Sequence, residues 1–176
     1  MLLDQPCSGK YVYTVPLLKE EDQEFLAGFC ERVSRANLSG KLPYSFEFDP
    51  NLGFDRNTGL ITFNHHSGFT CSTFVVALFR SAGNPLVYPI TWPRQARSAD
   101  IAARQYVLTA WRKSRNSKFP ARADEIEPTI QTMRISPEQV AGACLQRNLP
   151  TGYYRASKNG RQIHQRIIDQ FGEPNP

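Results

Sequence analysis

Between Lys19 and Ala36 the apolar positions Phe25, Leu26, Phe29, Cys30 and Val33 recur at the three-and-four spacing of an amphipathic helix. Glu20, Glu21, Asp22 and Glu24 crowd its start, where the positive end of the helix dipole favours carboxylates. Asn37, Ser39 and Gly40 stop it. Upstream, Tyr11 to Leu18 (YVYTVPLL) is β-branched and aromatic, which predicts a strand with Pro16 near its end.

From Leu42 to Gly59 the chain is aromatic but broken by Pro43, Pro50, Gly53 and Gly59, the pattern of an ordered loop carrying a short extended piece. Asp49-Pro50-Asn51 and Asn57-Thr58-Gly59 are turn chemistry. Leu60 to Asn64 predicts one further short strand. After the polar His65-His66-Ser67-Gly68, Thr70-Cys71-Ser72-Thr73 opens the apolar run Phe74-Val75-Val76-Ala77-Leu78-Phe79. Its periodicity fits strand or helix. The hydroxyl residues at its start and Gly83-Asn84-Pro85 past its end favour a buried helix of about three turns.

A Pro-rich connector (Pro85, Pro89, Pro93) follows, and Ser98 reads as the N-cap of a helix to about Ser114 that buries Ile101, Val107, Leu108 and Trp111. Ser136-Pro137-Glu138-Gln139 predicts another helix start, with proline at the first helical position and a capping box from Ser136 to Gln139; that helix is expected to end near Asn148-Leu149-Pro150. A last helix is expected from about Asn159 to Gln170 through Ile163, Ile167 and Ile168. The expected class is α+β: a small antiparallel sheet on a Cys-bearing helix, then a mostly helical C-terminal half. All 176 residues form one domain on this reading, with a core in 1–85 and a helical extension in 86–176 packed on it.

Composition changes this picture little. A hydrophobic fraction of 40% with 21% charged residues is ordinary for a soluble globular protein. No apolar run approaches the roughly 20 residues of a membrane span. The start of the chain carries no basic region ahead of an apolar stretch, so no export signal is read and a cytoplasmic location is expected for the chain as given. Cys7, Cys30, Cys71 and Cys144 are scattered without a C-x-x-C pair, which argues against zinc and against a disulfide framework; no metal or other cofactor is expected. The net charge of +5 is concentrated in RQAR, WRKSR and RASKNGRQIHQR, which suits solvated helix faces or an anionic partner.

The chemistry concentrates on Cys71. At a helix start, free backbone N–H groups and the dipole favour a thiolate, and the same N–H groups form an oxyanion hole if a substrate carbonyl lies over them. Gly68 would leave room for a substrate to approach, and Ser72 shares the helix start. The bland alternative is a small buried hydrophobe, the usual role of a free cysteine. Cys30, Cys144 and Cys7 read as structural. Tyr44 is a candidate oxyanion donor or simply packed aromatic surface, Trp92 and Trp111 core or cleft wall, Glu47 and Asp49 solvated carboxylates.

Gly68-Phe69-Thr70-Cys71-Ser72-Thr73-Phe74-Val75, followed by Leu78-Phe79 and Ala82-Gly83, resembles the nucleophile helix of NlpC-like papain-fold cysteine hydrolases, in which an aromatic-x-Cys-Ser-x-x-Val pattern begins a helix that ends in glycine. Gly40-Lys41-Leu42-Pro43-Tyr44 looks like the Gly-x-Pro-Tyr turn of the circularly permuted branch, and the order strand, helix, Pro-Tyr turn, loop, Cys helix is the same. The resemblance covers roughly residues 11 to 85 and implies a papain-like core with Cys71 as the nucleophile. One departure stands out. In that branch the catalytic histidine and its polar partner lie on strands toward the N-terminus, whereas no histidine here precedes His65. The chain is then a piece of a longer enzyme, or a shortened homologue without catalysis, or it takes its base from elsewhere. For the last case His65 and His66 are the candidates and His164 reads as a surface residue.

Two functions follow. One is hydrolysis of an amide, ester or thioester through a Cys71 acyl-enzyme, with peptides, cell-wall stem peptides and lipid amides as candidate substrates. The other is a non-catalytic binding module of the same fold for a protein or anionic partner, nucleic acid among them.

Overall fold

A computed structural model describes residues 16–37, 42–62 and 68–172. The architecture is α+β and dominated by helices. In chain order it runs α1 (Glu20–Ala36), β1 (Gly53–Phe54), β2 (Ile61–Thr62), α2 (Cys71–Ser81), α3 (Ser98–Arg112), α4 (Lys118–Ile126), α5 (Pro137–Cys144) and α6 (Tyr153–Phe171), with 3-10 turns at Pro89–Thr91 and Glu127–Thr129.

α2 lies at the centre because it is apolar on two faces. Ala77, Leu78 and Ala82 pack with Phe29 and Val33 of α1, with Leu52 and Phe54 beside the hairpin, and with Phe69. Val76 packs with Leu86, Val87, Trp92, Ile135, Val140, Ala143 and Ala156 on the α5–α6 side. Burying Val76 and Leu78 contributes about 2 kcal/mol each. The antiparallel pair β1–β2, Gly53 opposite Thr62 and Phe54 opposite Ile61, is fastened to α2 as well. Phe54 N–H donates to Ser81 Oγ at 2.9 Å, and the Arg80 guanidinium donates to the Leu52 carbonyl.

The hairpin turn is built from side chains. Asp55 Oδ1 accepts from Asn57 N–H, Thr58 N–H and the Thr58 hydroxyl at 3.0, 2.7 and 2.8 Å, which holds its carboxyl below the usual carboxylate range, the Thr58 bonds acting most strongly. Gly59 closes the turn at φ 74°. A Cβ there would also meet the Arg32 and Val33 backbone of α1 at 2.9 Å.

Several boundaries differ from the sequence expectations. Tyr11 to Tyr13 and the rest of 11–15 lie outside the described residues, and Pro16 to Leu18 are not in a strand. α3 is capped by Arg97 rather than Ser98, and it buries Asp100, Arg104 and Leu108, with Ile101, Val107 and Trp111 only half-buried. α5 stops at Cys144, short of Asn148, because residues 145–151 turn back to the connector: Thr151 N–H donates to the Leu86 carbonyl and Tyr88 N–H to the Thr151 carbonyl. α6 starts at Tyr153, six residues before the expected Asn159, since its first turns are buried through Ala156 and Gly160 rather than through large apolar side chains. α4 was not expected from the sequence; it buries only Ala123 and Ile126. Among the described residues no helix is long and apolar enough to cross a membrane.

Candidate active site

Thr70 caps α2 from an extended backbone (φ −84°, ψ 169°) through a reciprocal pair of bonds. Its hydroxyl accepts from Thr73 N–H at 3.2 Å, and Thr73 Oγ1 accepts from Thr70 N–H at 2.8 Å. The Thr70 carbonyl takes Phe74 N–H at 2.9 Å. Cys71 is therefore the first helical residue, and the N–H groups of Cys71 and Ser72 have no intrahelical acceptor. Neither bonds to any other described residue. Ser72 and Thr73 are buried while Cys71 is exposed, so the thiol stands at the accessible tip of an otherwise buried helix.

The cleft it opens into has a volume of about 130 Å³ and is lined by Tyr44, Phe46, Thr70, Ser72, Arg104 and Arg134, among others. Tyr44 is placed by aromatic contacts, its ring 5.6 Å from Phe46 and 5.2 Å from Trp111. Its carbonyl accepts from the Arg122 guanidinium. Burial pushes the Tyr44 phenol up from its ordinary value; the charge of a Cys71 thiolate pushes the same way, and Arg104 and Arg134 oppose them. The phenol thus stays protonated at neutral pH, a hydrogen-bond donor within electrostatic reach of the sulfur.

Gly68 has a different role from the one its position suggested. A Cβ on it would meet the Pro43 carbonyl at 2.6 Å and the Tyr44 backbone at 2.7 Å. The space is filled by the chain's own Pro43-Tyr44 segment, not held open for a substrate. Phe69 N–H donates to the same Pro43 carbonyl at 2.7 Å. This close approach sets Tyr44 beside the start of α2.

Arg104 forms another wall. It is 4% exposed, and its guanidinium donates to the carbonyls of Ile130 at 2.7 Å, Thr132 at 2.8 Å and Phe46 at 3.0 Å. It lies 5.1 Å from the centroid of the Phe46 ring. Burial pulls the guanidinium down from its usual value, and neighbouring Arg134 adds to this against Asp100 and Tyr44. One turn earlier on α3, Asp100 accepts from Arg97 Nε at 2.9 Å and from Arg134 Nη1 at 2.7 Å. Burial pushes its carboxyl up, but these two arginines outweigh that and hold it below its usual range.

His65 and His66 lie outside the described residues, as do Cys7, Gly40 and Lys41. His164 is exposed on α6 and lines a second cavity, between α3, α5 and α6, instead of the Cys71 cleft. Cys144 is buried in the core beside Val140, and Cys30 is half-buried on α1, where burial pushes its thiol up. Trp92 is core, donating Nε1–H to Gln139 Oε1 at 3.3 Å. Trp111 backs Tyr44. Among the described residues no group of three or more His, Cys, Asp or Glu side chains is arranged to hold a metal ion.

No family model, curated protein or solved structure matches this chain.

Arg104, Arg134 and Asp100 were not singled out in the sequence. A signal was present: Asp100, Arg104 and Leu108 stand at four-residue spacing, so a carboxylate and a guanidinium share the stripe of a residue that must be core. Charged residues on a buried stripe need partners, and here the partners form the site.

Proposed function

We propose that this chain is a cysteine hydrolase of the circularly permuted NlpC-like papain-fold type, cleaving an amide bond, or an ester or thioester, through a Cys71 acyl-enzyme. The observation that carries the reading is an exposed thiol on the first residue of a buried helix, beside two N–H groups without acceptors among the described residues and at the mouth of a cleft. In the proposed reaction the Cys71 thiolate attacks the substrate carbonyl carbon. The carbonyl oxygen becomes an oxyanion, held by the N–H groups of Cys71 and Ser72 and by the protonated Tyr44 hydroxyl. Collapse expels the amine, which takes a proton from a histidine, and water deprotonated by the same histidine then hydrolyses the acyl-enzyme. His65 and His66, six and five residues before Cys71, are the residues assigned to that role. Peptides, cell-wall stem peptides and lipid amides are the substrate classes the reading favours.

The test is competition for a limiting thiol alkylator near neutral pH, read by peptide mass spectrometry. The proposal expects Cys71 to be modified well ahead of Cys30 and Cys144, and an acyl-enzyme adduct from an activated ester that disappears in Cys71→Ala. Native labelling of Cys71 no faster than that of denatured protein, or ester turnover that survives Cys71→Ala, would overturn it. A second reading, a non-catalytic module of this fold, is favoured by one observation: His164, the one histidine among the described residues, faces a cavity other than the cleft. Alkylation selective for Cys71 with no acyl transfer to it would favour that module.

A further inference from the structure

The second cavity, about 340 Å³, is of a size that takes small organic ligands. Its chemistry is one-sided. Arg97 and Arg134 are oriented from behind by Asp100, which is 6% exposed and accepts from both. Each guanidinium carries five N–H donors and spends only one or two on Asp100, so each has donors left on the cavity side. Arg161 lines the cavity from α6 and makes no hydrogen bond or ion pair with any described residue. Ser157, also on α6, accepts from Gln139 Nε2 at 2.9 Å, which leaves its hydroxyl hydrogen free to donate. His164 stands one turn after Gly160 on the same wall. Against these, Asp100 is already occupied and Glu138 is the one other carboxylate in the lining. Three guanidiniums face two carboxylates, leaving one net positive charge.

A concave site lined mainly by donors, with Glu138 the one carboxylate not bonded to the arginines, complements a ligand rich in acceptor oxygens and negative charge. The geometry points to this cavity as a binding site for a small organic oxyanion, a phosphate ester or a polycarboxylate, held by Arg161, Ser157 and the Asp100-buttressed arginines. The site does not depend on Cys71 being a nucleophile, although Arg134 lines both the cavity and the cleft.

Ligand-detected NMR on the full chain tests this, with ribose 5-phosphate and citrate as the two oxyanion probes and ribose as the neutral control. Saturable binding of one or both anions at up to millimolar concentration is expected, and none of ribose; which anion binds distinguishes a phosphate ester from a carboxylate ligand. Arg161→Ala removes a side chain that makes no bond to any other described residue, and it is expected to weaken binding about tenfold. Lys158→Ala, an exposed cation of α6 outside the cavity, should leave it unchanged. No saturable binding of either anion, or equal weakening by Lys158→Ala and Arg161→Ala, would overturn the assignment.

Discussion

Replacing Arg104 by alanine removes the bond donor shared by two separate stretches of chain. Its guanidinium holds Phe46 on the cleft side and Ile130, Thr132 and Met133 in the segment leading to α5, at 2.7 to 3.3 Å. Two of those acceptors retain other partners or are weakly held: the Phe46 carbonyl keeps the Thr132 hydroxyl at 3.3 Å, and Met133 is the longest of the four. Ile130 and Thr132 lose short, charge-assisted bonds with no substitute among the described residues. Leaving a buried acceptor unpaired costs about 1–3 kcal/mol, the lower end applying to these half-buried carbonyls, and the aliphatic stem and the Phe46 contact add about 1 kcal/mol. Relief from burying a cation offsets part of this. The net expected loss is about 3 kcal/mol, or roughly 6–12 °C in Tm for a chain of this length. Urea unfolding followed by far-UV circular dichroism measures it directly. Arg104→Lys should recover less than half, because an ammonium keeps the charge but cannot reproduce the planar fork that reaches carbonyls on both sides. A loss below about 1 kcal/mol for Arg104→Ala would refute the claim that this side chain ties the cleft wall to the α3–α5 segment.

Two further outcomes follow from the geometry. Gly59→Ala should lower the urea midpoint by the equivalent of about 2 kcal/mol, since it combines a left-handed φ of 74° with a Cβ placed 2.9 Å from the α1 backbone; an unchanged midpoint would count against both. Asp100 is held below its usual value in the folded state, so its contribution is present in full above the unfolded value near 4 and is lost as pH falls through the folded one. Wild type should therefore lose stability below about pH 4 more steeply than Asp100→Asn, and parallel acid profiles for the two would contradict the ion-pair account.

The parts of the fold that could be read from the sequence were those announced by local chemistry. The α1 stripe, the hydroxyl residues that start α2, the capping box at Ser136 and the turn at Asn57-Thr58-Gly59 each follow from residues within one turn of one another. The parts that could not were set by distant partners. α5 ends where residues 145–151 turn to meet Val87, and nothing near Cys144 forces that. The start of α6 was hidden because small residues bury a helix without an apolar signature. At the site, Cys71 and Tyr44 could be picked out from their neighbours in sequence, but their proximity depends on Gly68 meeting Pro43, Arg104 depends on carbonyls 25 or more residues away, and Arg134 depends on the Asp100 carboxylate.

Gly142 and Gly160 meet at the crossing of α5 and α6. A Cβ on Gly160 would stand 2.6 Å from the Glu138 carbonyl, and one on Gly142 would collide with the Ala156 carbonyl. With main chain resting on main chain, neither helix can rotate or slide past the other without a steric penalty, unlike a pair cushioned by adaptable side chains. The contact acts as a fixed pivot whose rotational phase orients Ser157 and Arg161, on either side of Gly160. Length changes in this protein are thus tolerable after His164 and ruinous between Ser157 and Gly160, where a single inserted residue would turn Ser157 and Arg161 by about 100° relative to each other around the helix axis.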